Sequence, residues 1–215
     1  MHTTFIFAPS RAFIIIVTLL LLSGCAARHT DVSQSSHIAN NIAEQDLSTL
    51  TQFTLRGKLA IITPSERKSA YLSWQQQRSE FLMNLNTVVG TNIATMRFDG
   101  VMASMQSDNN EWQAPSPSEL IHRVTGWQVP LDNLEEWMKG QVETSLVDEY
   151  YENGLVKQFT SQCKGCLRWK ITYNSYASFE LDGQRYTLPS ALRLEQADTN
   201  TRLILRIDRW LPADA

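Results

Sequence analysis

Few residues in this 215-residue chain have types and spacings that could do chemistry. Cys163-Lys164-Gly165-Cys166 is a CxxC motif. A redox pair normally opens a helix, whose N-terminus lowers a thiol pKa, and half of a zinc site needs a second CxxC. Here the motif lies between two strand-like segments, and the chain has no second one. Lys164-Gly165 reads as a hairpin turn with a cysteine on each side, near enough for a small disulfide ring. A structural disulfide or two idle thiols is therefore the reading, with redox work and metal binding as the alternatives. Of four histidines, only His122 lies among periodically patterned residues, and it reads as a solvated helix-face residue. Glu135-Glu136 and Asp148-Glu149 are adjacent in sequence, whereas acid–base work needs separate, convergent carboxylates. No GxSxG, HExxH, P-loop or GxGxxG motif occurs, so neither an enzyme nor a bound cofactor or metal is expected.

The remaining cysteine stands in Leu22-Ser23-Gly24-Cys25, after a run from Ala12 to Leu22 that is apolar except for Thr18. Eleven residues are too few for a spanning helix, which needs about 20. A basic residue, Arg11, then a short apolar run and small residues form the layout of a secretory signal peptide over residues 1–24. Leu-Ser-Gly-Cys also resembles the lipobox of bacterial lipoproteins. That resemblance implies that the Cys25 thiol carries a diacylglycerol and its amine a further acyl chain. Three chains at about 0.8 kcal/mol per buried CH₂ make the anchor permanent. An ordinary signal peptide ending in an unrelated cysteine is the other reading. Ala26, in place of Asp after the cysteine, implies by analogy sorting to the outer membrane.

Removal of residues 1–24 leaves 191 residues, enough for one domain with a sizeable core, and a net charge of −4. With no run of Lys or Arg, nucleic acid is not an expected partner. Residues 26–40 are polar and unpatterned, as befits a tether. The expected organisation is a signal peptide over 1–24, a lipidated N-terminus and flexible tether over 25–40, and a folded domain over 41–215.

Within that domain, residues 42–50 could form a short helix. From Gln52 the period is two: Phe53, Leu55, Gly57, Leu59 and Ile61 alternate with Thr54, Arg56, Lys58 and Ala60, which predicts a half-buried strand. Further alternation predicts strands around Ala70, Leu72 and Trp74, around Phe81, Met83 and Leu85, around Ala94, Met96 and Phe98, and around Val101, Ala103 and Met105. Turn residues between them point to sequential antiparallel pairing. Ser116-Pro117-Ser118-Glu119 is a capping box that starts a helix ending at Gly126, and a second helix runs from after Pro130 to Gly140. Strands resume over 155–160, at Trp169, Ile171 and Tyr173, over 186–188, over 192–194 and over 203–207. About ten strands and two or three helices predict a curved, nearly closed antiparallel sheet with helices on its concave side.

The inward residues include Met83, Met96, Met105 and Met138 beside Phe81, Phe98, Trp74, Trp127 and Trp137, a mixture suited to a pocket for variable apolar ligands. A plain packed core shows the same periodicity, and periodicity alone favours it. Thr87-Val88-Val89-Gly90 falls where a turn is required. Its valines either fold back into the core or are offered to a membrane or partner.

The run LIHRVTGWQVPLDNLEEWMKG, residues 120–140, resembles the helical segment of the LolB family, outer-membrane receptors and insertases of lipoprotein localisation. Arg56-Gly57, Trp74-Gln75-Gln76, the loop ending at Gly90, Trp169-Lys170, Leu188-Pro189 and Trp210 extend the match over most of the domain. The resemblance implies mainly β structure with short helices: an unclosed antiparallel β-barrel of ten or eleven strands with a helical lid over an apolar cavity. The cavity would take acyl chains against Trp74, Phe81, Met83, Leu85, Met96, Phe98, Leu120, Val124, Trp127, Leu134 and Trp137. Implied partners are the soluble periplasmic carrier LolA, acylated client lipoproteins and outer-membrane phospholipid, with the protein itself a monomer anchored through Cys25 and facing the periplasm. The loop before Gly90 would insert into the membrane through Val88 and Val89, where the family more often has Pro and a larger Leu. Cys163 and Cys166 are outside the family pattern. The competing expectation is a structural cell-envelope lipoprotein with a packed core that binds another protein.

Overall fold

A computed structural model describes residues 46–162 and 167–213. The signal peptide, Cys25, the tether and the pair Cys163 and Cys166 lie outside the described residues. Eleven strands form one antiparallel sheet: β1 (Gln52–Ile62), β2 (Arg67–Gln77), β3 (Glu80–Asn86), β4 (Asn92–Phe98), β5 (Ala103–Ser107), β6 (Asn110–Ala114), β7 (Val147–Tyr150), β8 (Val156–Thr160), β9 (Lys170–Leu181), β10 (Gln184–Gln196) and β11 (Thr201–Leu211). Their order is β6-β5-β4-β3-β2-β1-β11-β10-β9-β8-β7, so two meanders are joined by the pairing of β1 with β11. β6 and β7 are the two edges, and the barrel is unclosed. Two helices, α1 (Pro117–Thr125) and α2 (Leu131–Lys139), lie between the two meanders in sequence.

Alternation sets the inward face. Phe53, Leu55, Leu72, Trp74, Phe81, Met83, Ala94 and Met96 are buried from the first meander, as are Ile171, Tyr173, Leu192, Leu194, Leu203 and Leu205 from the second. The inward tryptophan is satisfied internally: Trp74 Nε1 donates to Gln76 Oε1 at 2.7 Å, and Gln76 Nε2 donates to the Arg78 carbonyl at 2.7 Å. Trp74 also stacks on Phe81 with centroids 4.2 Å apart. Internal partners offset the desolvation cost of these buried polar groups.

The helices begin and end where the sequence placed them. Ser116 Oγ accepts the Glu119 amide at 3.2 Å, Pro117 occupies the first helical position, and Gly126 and Gly140 close the helices in the left-handed conformation. α2 buries Leu131, Leu134, Trp137 and Met138.

Several expectations are corrected. The helix expected over 42–50 is, among described residues, a 3-10 turn at Leu47–Thr49. Val101 does not begin a strand. Asp99 Oδ1 accepts the Val101 and Met102 amides at 2.9 and 2.8 Å, which binds those residues into a turn and leaves Val101 77% exposed. Thr54, expected on the outer face, is buried, with its hydroxyl donating to the Ala213 carbonyl at 3.3 Å. β10 is one strand rather than two, because a bulge between Pro189 and Ala191 accommodates the proline without ending the ladder. β6 and β7, short and polar, are additional to the strands that alternation predicted.

Candidate functional site

The lid-facing interior holds a closed pocket of about 20 Å³. Its walls are Leu59, Leu72, Trp74, Met83, Leu194, Leu203 and Leu205 from five strands, facing Val129, Leu131 and Leu134 from the lid. Of the residues expected against acyl chains, Trp74, Met83 and Leu134 line it. Phe81, Met96 and Leu120 are buried in the continuous core, and Leu85, Phe98 and Val124 are partly buried against it. Trp127 sits at the margin, where its Nε1 donates to Glu66 at 3.1 Å and Lys68 Nζ lies 5.4 Å from its ring centre. Leu194, Leu203 and Leu205 were legible as strand residues, but nothing in the sequence told which face they take or which strands the helices would cover.

Ligand sites hold roughly 300–1,000 Å³, so this conformation is closed to an acyl chain. The lid is fastened at a few points. The Tyr173 hydroxyl donates to the Trp137 carbonyl at 2.8 Å, and the buried Lys139 Nζ donates to the Leu50 carbonyl at 3.3 Å, while its bond to Glu135 Oε1 at 2.8 Å lies within α2. Burial holds the Tyr173 phenol far above its ordinary pKa, so it stays a donor.

A second space is an open groove of about 640 Å³ on the other side of α2, between the two helices and the β8–β9 region. Trp137 lines this groove as well as packing into the core, and His122 stands exposed on its wall. Among the described residues no cluster of three or more His, Cys, Asp or Glu could hold a metal ion.

The valine loop does not fold back. Val88 and Val89 are 84% and 87% exposed, the most exposed large apolar residues described. They sit at the tip of the β3–β4 connection, which is closed by Thr87 N to the Thr91 carbonyl at 2.8 Å, by Gly90 N to the Thr87 carbonyl at 3.0 Å, and by Thr91 N to Thr87 Oγ1 at 3.1 Å. Gly90 takes φ +88°, which a side-chain-bearing residue rarely adopts. The tip is thus a constrained presentation of two valines to solvent. No described helix is long and apolar enough to cross a membrane.

Residues 51–210 match the family model for outer membrane lipoprotein LolB. The outer-membrane lipoprotein LolB of Aeromonas hydrophila is 31% identical over 193 residues, spanning 89% of this chain and 92% of the relative. That of Shewanella denitrificans is 27% identical over 197 residues, 91% of each chain. Among solved structures, a LolA superfamily protein from Nitrosomonas europaea superposes with a TM-score of 0.47 at 9% identity, over 82% of this chain and 90% of that one.

Proposed function

The chain belongs to the LolB family of outer-membrane lipoproteins, and from that premise we propose that it accepts lipoproteins from a soluble periplasmic carrier and inserts them into the outer membrane. The observation that carries the reading is the valine tip: two large apolar side chains held out to solvent by a closed turn. Burying a valine is worth about 1.5–3 kcal/mol, so a bilayer is the natural destination of that pair. The anchor at Cys25 and the tether over 25–40 would keep the domain, residues 41–215, within reach of the membrane.

In this mechanism the interior between the strands and α2 receives acyl chains. The lid's hydrogen bonds to the strands are few, and the rest of its hold is the apolar packing of Leu131, Leu134, Trp137 and Met138. In this reading α2 is the element that moves, and its leucines, with the inward faces of β1, β2, β10 and β11, become the walls. No nucleotide is needed. Transfer runs from carrier to this protein and on to the bilayer if each step binds the chains more tightly, and each tenfold step requires only about 1.4 kcal/mol. The partners in this reading are the LolA carrier, acylated client lipoproteins and phospholipid, and the protein acts as a monomer and not as an enzyme.

The closed pocket of about 20 Å³ favours a second reading, a cell-envelope lipoprotein with a packed core that binds another protein. A client lipoprotein with a photoreactive acyl chain, presented by its carrier to the full-length protein, separates the two. Crosslinks to Met83 and Leu134 support the receiving interior; crosslinks confined to outer-surface residues support the packed core.

A further inference from the structure

Val129 lines both spaces: it is a wall of the closed apolar pocket and of the open groove. One side chain on the connector between α1 and α2 therefore stands between solvent and the interior. The groove has an apolar floor of Trp137, Phe159 and Trp169, and its volume of about 640 Å³ lies within the range of small-ligand sites. Its rim is acidic. Glu119, Asp132, Glu136 and Glu143 line it, and no lysine or arginine does so among the described residues. Glu119 is paired with Arg123, and Asp132 accepts the Ser118 amide at 3.4 Å. Glu143 accepts only the Ser145 hydroxyl, at 2.6 Å, among the contacts described for its carboxylate. Neither Glu136 nor Glu143 is in a described ion pair, so the negative potential at the mouth rests chiefly on these two.

Resting on the proposed lipoprotein-accepting function, we infer that this groove is the port through which acyl chains reach the interior, and that its carboxylate rim admits uncharged acyl groups while turning away lipids with a phosphate. The acyl chains of a lipidated cysteine are joined through esters, a thioether and an amide, none of which is charged. A phospholipid carries the same chains beneath a phosphodiester anion, which would have to sit beside Glu136 and Glu143, neither of them in an ion pair among the described residues, with Arg123 compensating Glu119 alone. A receptor at a phospholipid membrane needs such discrimination, because the competing lipid is the solvent. Apolar contact alone cannot supply it, since the two ligands offer the same methylenes.

The test uses the full-length protein in nanodiscs and two photoreactive probes with one alkyl chain, one bearing a glycerol head and the other phosphoglycerol. Labelled peptides are identified by mass spectrometry. The glycerol probe should label the segments containing Trp137, Phe159 and Trp169 about tenfold more than the phosphoglycerol probe, the size expected of two exposed like charges acting together. In a Glu136→Gln/Glu143→Gln variant the difference should shrink to about twofold, with glycerol-probe labelling retained as the check on folding, and high salt should shrink it in the wild type. Equal labelling of the wild type by both probes, no labelling of these segments, or an unchanged ratio in the double variant overturns the inference. Transfer from a carrier is followed in parallel: transfer without groove labelling defeats the port alone, whereas probe discrimination without transfer defeats the proposed function and leaves the filter standing.

Discussion

The Tyr173 hydroxyl donates to the main-chain carbonyl of Trp137 at 2.8 Å, and this bond ties the inner face of β9 to the lid helix α2. Both residues are buried, and the Trp137 carbonyl also accepts the Gly140 amide at 3.1 Å. Tyr173→Phe therefore removes one buried hydrogen bond without orphaning its acceptor, at a cost of about 1 kcal/mol. If α2 is the moving lid, the variant should crosslink a carrier-delivered acyl chain to Met83 or Leu134 faster than the wild type. Denaturant titration and crosslinking time courses check the two halves. A lower stability with an unchanged crosslinking rate would mean that the interior opens elsewhere.

Gly57 sits at the register shift where β1 meets β11, and a Cβ there would lie 2.1 Å from the Arg206 carbonyl oxygen. That atom is backbone in the one pairing that joins the two meanders, so it cannot yield as a flexible side chain would. Gly57→Ala is expected to destabilise the protein by about 2–4 kcal/mol, read from the denaturation midpoint. A loss under about 0.5 kcal/mol would show that the β1–β11 seam adjusts freely.

Burial raises the phenol pKa values of both Tyr173 and Tyr176, and the Tyr176 hydroxyl donates to the Val156 carbonyl at 2.7 Å. The folded state thus holds these protons more tightly than the unfolded chain, whose tyrosines ionise near 10.0. Their contribution is fully present below that pH and is lost as pH rises above it. Stability measured by denaturant titration should fall above about pH 10, and Tyr173→Phe should remove part of that fall. A variant with the wild-type alkaline slope would place the effect in other groups.

The helices were legible because each carries its own boundaries: Ser116 and Pro117 at one start, Gly126 and Gly140 at the ends, and apolar stripes between. The long strands were legible from alternation. β6 and β7 were not, since NEWQA and VDEY present mostly exposed residues and form only as edges paired to β5 and β8. Val101 continued an alternating pattern, yet the Asp99 carboxylate captured its amide for a turn. Pro189 looked like a strand boundary because a proline cannot donate to a ladder, but a bulge absorbs it. The pocket under α2 was hidden for a different reason: Trp74, Met83 and Leu134 follow the same periodicity whether they line a cavity or fill a core. Likewise, two valines in a turn are compatible with either burial or exposure until the tertiary fold decides, and here the β3–β4 tip leaves them in solvent.

The most direct test follows a lipoprotein from its soluble carrier through this protein into liposomes, with wild type and Val89→Glu compared. Glu in place of Val forfeits about 1.5 kcal/mol or more of apolar burial and adds a charge that resists entering hydrocarbon, so insertion by the variant should drop by about tenfold while acceptance from the carrier stays near wild type. Insertion by Val89→Glu at the wild-type rate would contradict the role of the valine tip. A lipoprotein that stays on its carrier in the presence of the wild-type protein would contradict the account as a whole.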